Sequence, residues 1–244
     1  MAKNFRLFIK ETLEIGKIIT LDENQTHYLK DVVKYSIKDN LLCFDNQNGE
    51  FICQLIEANK KGYKIKISKK TKEKKQCPDI WILFAPLKKD NTDFVIEKAT
   101  ELGCRRIIPT ITQNTNTTNI KVERYTAQSI EAAEQCRRTD LPEIVSPQSL
   151  TSLLETWPCD RSLYFMDESL QSAPFLQILK AEPNNKAAIL IGPEGGFSPE
   201  ELNRLRNSPF AFGATLGPRI LRAETAALAA LSCWQLIVGD WNTK

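Results

Sequence analysis

An apolar strand that runs into a three-glycine loop and then into a capped helix sets the tightest constraint on this chain. Ala188-Ile189-Leu190-Ile191 is followed by Gly192-Pro193-Glu194-Gly195-Gly196-Phe197, and then by Ser198-Pro199-Glu200-Glu201-Leu202. Ser198 suits the N-cap, Pro199 the first helical position, and Glu201 the third, where its carboxylate closes a capping box. A strand that hands directly over to a helix belongs in an α/β sheet. The loop falls at the strand's carboxyl end, where open sheets of this kind bind ligands, and its glycines let backbone approach a ligand closely. It is not G-x-G-x-x-G, and no Walker A sequence exists, which argues against a dinucleotide-binding unit and a P-loop NTPase.

A second segment, Thr215-Leu216-Gly217-Pro218-Arg219-Ile220-Leu221-Arg222-Ala223-Glu224-Thr225-Ala226, repeats the pattern of strand end, Gly-Pro turn and helix start. Glu224 falls in the first helical turn, where an acid suits the helix dipole. Arg219 and Arg222 flank the turn, either as an anion-holding pair or as a solvated one. The helix Ala226–Val238 is small and apolar, suited to a core or a subunit interface, and is too short and interrupted to span a membrane. On a further helix, Val122–Arg138, the residues Arg124, Gln128, Glu131, Gln135 and Arg138 share one face at 4-3-4-3 spacing. A solvated face is the ordinary reading of such a stripe.

The rest of the pattern divides the chain. Before residue 70 it reads as short strands and turns around one short helix, Thr26–Lys34, which suggests a small β-barrel. The lysine-rich run 69–75, closed by Pro78, is the expected boundary, with domains at 1–74 and 75–244. Beyond it, strands at Ile80–Ala85, Arg106–Ile111, Ser162–Met166, Ala187–Ile191 and Ala211–Leu216 alternate with helices, the first at Asp93–Leu102. That alternation predicts a mostly parallel sheet covered by helices. Residues 1–75 carry sixteen Lys/Arg against ten Asp/Glu, whereas the remainder carries seventeen against twenty. A basic front part suits a polyanionic partner. Nine lysines lie between 60 and 75, although without arginine or stacked aromatics this is only a weak nucleic-acid signature. Seven scattered cysteines with no C-x-x-C pair and a single histidine, His27, give no metal site. The N-terminus shows no signal core, so a cytoplasmic location with reduced thiols is expected.

Taken together, Glu97-Lys98-Ala99-Thr100-Glu101-Leu102-Gly103, Glu134-Gln135-Cys136-Arg137-Arg138, Ile191–Phe197 and Leu216–Ala226 resemble the ribosomal RNA small subunit methyltransferase E family. The resemblance extends to Arg6-Leu7-Phe8 and His27-Tyr28-Leu29, and so covers nearly the whole chain. It implies a SPOUT methyltransferase: an N-terminal PUA-like β-barrel, then an α/β domain whose C-terminal part forms a trefoil knot. It also implies a homodimer that methylates N3 of one uridine in 16S rRNA of the small subunit. The implied cofactor, S-adenosylmethionine, would lie against Phe165, Met166, Leu190, Ile191, Gly192, Glu194, Gly195, Gly196, Leu216, Gly217, Ile220, Leu221, Thr225 and Ala226. Arg138 and Arg222 are the candidates for steadying the uracil anion, and Glu194 or Glu224 for taking its proton. Arg6, His27, Lys34, Arg124 and Arg138 are the implied RNA contacts.

The chain departs from the family's usual pattern at two places. Lys34 stands where arginine is usual, and Gln113-Asn114-Thr115 stands where Glu-Arg-Ser is usual, which shifts RNA contacts before it touches the reaction. Two other readings remain open at this point. One is a SPOUT enzyme acting elsewhere, such as on a tRNA ribose, and the other is a non-catalytic ribosome-assembly protein.

Overall fold

A computed structural model describes residues 5–59, 62–117, 120–169 and 171–242. Lys60 and Lys61, two of the lysines counted in the basic run, lie outside the described residues. By internal packing the chain falls into two compact units. The first runs to Gln76 and includes Ala133–Leu141, a segment the linear reading gives to the second domain; the second holds Cys77–Ala132 and Pro142 onward.

In the first unit, β1 (Arg6–Phe8), β2 (Ile18–Thr20), β3 (Asn40–Asp45), β4 (Gly49–Asn59) and β5 (Gly62–Lys72) form one sheet in the order β1-β3-β4-β5-β2. Only the β1–β3 pair is parallel. Tyr63, Ile65 and Ile67 of β5 are buried, and the lysines between them stay wet, as period-2 alternation requires. Their core partners include Leu29, Cys43, Phe51, Cys53 and Leu55. The expected helix Thr26–Lys34 begins earlier and changes character. Asp22 accepts from Gln25 N and Gln25 returns the bond, so α1 starts at Glu23 and ends at His27. A single wide π turn, Tyr28–Val32, follows, and Lys34 at φ 54° terminates it.

Arg6 organises the join to 133–141. Its Nε donates to Glu50 Oε2 at 2.7 Å, while Nη1 and Nη2 donate to the carbonyls of Ala133 and Arg138, both at 2.6 Å. Phe8 N donates to Glu134 Oε1 at 2.8 Å, and Leu141 N to Asn46 Oδ1 at 3.0 Å. A buried guanidinium is tolerated only when paired and bonded in this way.

The second unit is built on β6 (Asp79–Phe84), β7 (Arg106–Ile111), β8 (Glu143–Ile144), β9 (Gln148–Ser149), β10 (Ser162–Met166), β11 (Lys186–Ile191) and β12 (Ala211–Ala214). The order is β12-β10-β11-β6-β7-β8, with β9 also on β7, and every pair is parallel. Both faces are buried, which is why the strands read as unbroken apolar runs. Ile80, Ile82, Phe84, Ile189 and Ile191 pack with α2 (Lys89–Glu101), α5 (Phe175–Ala181) and α7 (Ala223–Ile237). The alternate residues Leu83, Ala188 and Leu190 pack with α4 (Leu150–Glu155) and α6 (Pro199–Asn207). Helix α3 (Val122–Cys136) contributes Tyr125 to the first of these layers.

Two boundaries differ from the sequence reading. Helix α2 starts four residues before Asp93, because its polar first turn carries no apolar periodicity to reveal it; Thr92 Oγ1 holds that turn against Leu87 N at 2.9 Å. Strand β12 stops at Ala214, after which Thr215 bridges to Pro174 and Gly217 turns away at φ 110°. Among the described residues, no helix is long and apolar enough to cross a membrane.

Candidate active site

The carboxyl ends of β10 and β11, the segment after β12 and the first turn of α7 surround a cavity of about 450 Å³ within the second unit. That volume is in the range of small-molecule sites, and the position is where parallel sheets leave a crevice. Met166, Ile191, Leu216, Leu221 and Ala226 give it an apolar wall, and Glu168, Glu194, Arg219, Arg222 and Glu224 supply charge. Lys88 and Asn91 reach it from the start of α2.

The glycine loop is shaped from both sides. Gly196 N donates to Pro193 O at 3.0 Å, and Gly196 takes φ 70°, a left-handed conformation that a residue with Cβ adopts at a cost. Ser198 then caps α6: Glu201 N donates to Ser198 Oγ at 3.2 Å, and Ser198 N to Glu201 Oε2 at 2.9 Å. The capping box read from the sequence is therefore formed.

Beside the loop, Asp167 is buried, yet it accepts from Ser169 N (3.0 Å), Ser172 Oγ (2.7 Å) and Arg206 Nη2 (3.2 Å). Burial alone raises a carboxyl pKa, but these bonds outweigh it and hold Asp167 below the usual carboxylate value. A fixed anion thus underlies the turn that presents Glu168.

Of the residues named for the cofactor, Met166, Ile191, Gly192, Glu194, Gly196, Leu216, Gly217, Ile220, Leu221 and Ala226 line the cavity, together with the catalytic candidates Arg222, Glu194 and Glu224. Phe165 and Leu190 do not. Strand alternation turns their side chains into the opposite packing layer. Gly195 and Thr225 are exposed and outside the lining.

The RNA candidates are dispersed. Arg6 is 5% exposed, and its guanidinium is consumed by Glu50 and two carbonyls, so here it is a structural arginine rather than a surface contact. His27 is exposed, with Nδ1 2.8 Å from Asp31 Oδ2, and Lys34 is exposed at the end of the π turn. Arg124 pairs with Asp93 across α3 and α2. Arg138 is buried in the first unit, its Nε donating to Asp140 Oδ1 at 3.0 Å. Sequence reasoning missed Asp167, Glu168, Lys88 and Asn91. For the first two, the available signal was position, since they follow β10 at the level where the glycine loop follows β11.

The chain is similar to known proteins along nearly its whole length. Residues 73–235 match the model of an RNA methyltransferase domain, and residues 21–68 that of an RNA methyltransferase PUA domain. The chain is 33% identical to the ribosomal RNA small subunit methyltransferase E of Buchnera aphidicola from Schizaphis graminum, over 96% of this chain and 97% of that one. It is 30% identical to the Rickettsia conorii protein of that name, over 95% of each. Among solved structures, the Neisseria gonorrhoeae ribosomal RNA small subunit methyltransferase E bound to S-adenosylmethionine superposes with a TM-score of 0.88 at 25% identity, covering 98% of this chain and 100% of that one. A Legionella pneumophila protein, also solved with S-adenosylmethionine bound, gives 0.86 at 26% identity, covering 98% and 99%.

Proposed function

Because the chain belongs to the ribosomal RNA small subunit methyltransferase E family, we propose that it methylates N3 of a uridine in 16S rRNA of the small ribosomal subunit, with S-adenosylmethionine as methyl donor. The observation that carries this reading is the cavity at the ends of β10 and β11, which draws together the glycine loop and the Leu216–Glu224 segment. Its chemistry fits the cofactor. The apolar wall of Met166, Ile191, Leu216, Leu221 and Ala226 suits a purine, and Glu168 and Glu194 suit the positive charges of a sulfonium and an ammonium group. When bound, the cofactor supplies an already activated methyl group, so the protein's work is orientation and electrostatics.

Uridine N3 must lose a proton before or during transfer. Arg222, exposed at the cavity, stabilises the developing negative charge on the uracil. Glu194 and Glu224 both line the cavity, and one of them accepts the proton. Arg138, the other candidate for this role, is buried in the first unit on Asp140 and is not among the residues lining the cavity. The same reading includes a knotted C-terminal segment and a homodimer with its active site near the subunit interface. Leu236 and Ile237 in the last turn of α7 and Trp241 just after it are exposed and suit an apolar partner, at the end of the helix away from the cavity. The preferred substrate is the assembled subunit, since the basic strand β5 offers charge but few specific contacts.

The test is to incubate small subunits from cells lacking the protein with purified protein and labelled cofactor, then identify the labelled nucleoside by mass spectrometry. Labelled 3-methyluridine is expected. A ribose-methylated product, or no label despite cofactor binding, rejects the assignment, and equal labelling of naked rRNA rejects the preference for subunits.

A further inference from the structure

The turn after β7 lies far from the glycine loop in sequence and is nonetheless bonded to it. Thr112 and Thr115 close this turn on itself. Thr115 N donates to Thr112 O at 3.1 Å, Thr112 N to Thr115 Oγ1 at 2.9 Å, and the two hydroxyls are 2.8 Å apart. Between them, Asn114 Nδ2 donates to Gly196 O at 3.0 Å and to Gly195 O at 3.2 Å. Gln113 N donates to Glu201 Oε1 at 2.8 Å, while the other oxygen of that carboxylate holds Ser198 N. A preformed turn thus grips the glycine loop and the helix cap that follows it.

We propose that Asn114 is a positioning residue for the cofactor: by donating to two adjacent carbonyls, its amide fixes the Gly195–Gly196 peptides and with them the cavity wall formed by Gly192, Glu194 and Gly196. The inference rests on the S-adenosylmethionine reading above. Glycine loses more backbone freedom on ordering than any other residue, so a loop with three glycines keeps one shape only where something outside it holds it. Asn114 lies directly against the loop: a Cβ built on Gly195 would stand at ordinary contact distance, 3.4 Å, from Asn114 Cβ. Both bonds need a donor. Aspartate has the same shape but presents only acceptor oxygens and a charge to the two carbonyls. The geometry turns the Asn114 side chain toward the cofactor loop at the position where the family resemblance suggested an RNA contact.

The experiment measures S-adenosylmethionine binding by calorimetry to the full-length protein and to Asn114→Ala and Asn114→Asp, with thermal melts alongside and KM for cofactor and for small subunits. Losing two neutral hydrogen bonds is expected to weaken cofactor binding about 5- to 30-fold in Asn114→Ala. Asn114→Asp should bind more weakly still, and KM for subunits should stay at the parental value in both. Should the alanine variant melt early, the isosteric aspartate variant carries the comparison. Parental binding in both variants, aspartate binding no more weakly than alanine, or a rise confined to the subunit KM each overturns the role of Asn114. Failure of the unmutated protein to bind the cofactor overturns the functional reading, and this inference with it.

Discussion

The Glu168 carboxylate occupies the space that a Cβ on Gly196 would need, and both residues line the cavity. Gly196→Ala therefore has two separable effects. The left-handed φ of 70° costs about 1–2 kcal/mol with a Cβ present, and the Glu168 side chain must swing out of the site. Thermal melts should show the first effect and cofactor titration the second. In the Glu168→Ala background the same substitution should keep its stability cost but change cofactor affinity little further. An unchanged effect on affinity in that background would mean that the two residues are not coupled.

Arg6 and Glu50 form a buried pair, 5% and 2% exposed, with Arg6 also bonded to the carbonyls of Ala133 and Arg138. Removing Arg6 leaves the buried Glu50 carboxylate with Lys72 and Thr71 and takes the donor from two carbonyls, so Arg6→Met is expected to cost about 2–3 kcal/mol by urea unfolding. Adding Glu50→Gln should recover part of that loss. If the two substitutions simply add, Arg6 and Glu50 do not act as a unit.

Acid stability follows from the same residue and from Asp167. Burial raises the carboxyl pKa of each. Glu50 is nevertheless lowered by Arg6 and Lys72, and Asp167 by Ser169, Ser172 and Arg206. A lowered folded pKa gives stability that is fully present above the unfolded value, about 4, and lost as pH falls through the folded value. Urea midpoints should therefore be level near pH 6 and drop below about pH 4, with a shallower drop in Asp167→Asn. A midpoint that rises on acidification contradicts these assignments.

What the sequence discloses and what it conceals divide along chain distance. The capping box of α6 joins Ser198 to Glu201, three residues apart, and is fully readable. The two-faced burial of β6 and β11 is likewise visible as an unbroken apolar run. Arg6 reads as an exposed RNA contact because its partners, Glu50, Ala133 and Arg138, are 44, 127 and 132 positions away. Asn114 reads as a lost arginine because the carbonyls it holds are 81 and 82 positions on. Phe165 and Leu190 belong to strands that end at the site, and side-chain alternation packs their rings and branches in the other layer. No local pattern marks such pairings, which exist only once the sheet has set strand order.

The division of labour among Arg222, Glu194 and Glu224 gives the last prediction. All three line the cavity, but they stand differently: Arg222 and Glu194 are exposed, whereas Glu224 is half-buried in the first turn of α7. If Arg222 stabilises the uracil anion, Arg222→Ala should bind cofactor like the parent and lose about 100-fold or more in turnover. Its rate should also keep rising with pH where the parental rate has levelled, because N3 without the nearby guanidinium is less acidic and reaches its anionic form only at higher pH. Of Glu194→Gln and Glu224→Gln, the variant lacking the proton acceptor should lose turnover at unchanged cofactor affinity, and the other should lose mainly affinity. Single-turnover rates across pH, with cofactor affinity measured separately, separate these outcomes. A loss of cofactor affinity in Arg222→Ala equal to its loss of turnover would assign that arginine to binding instead.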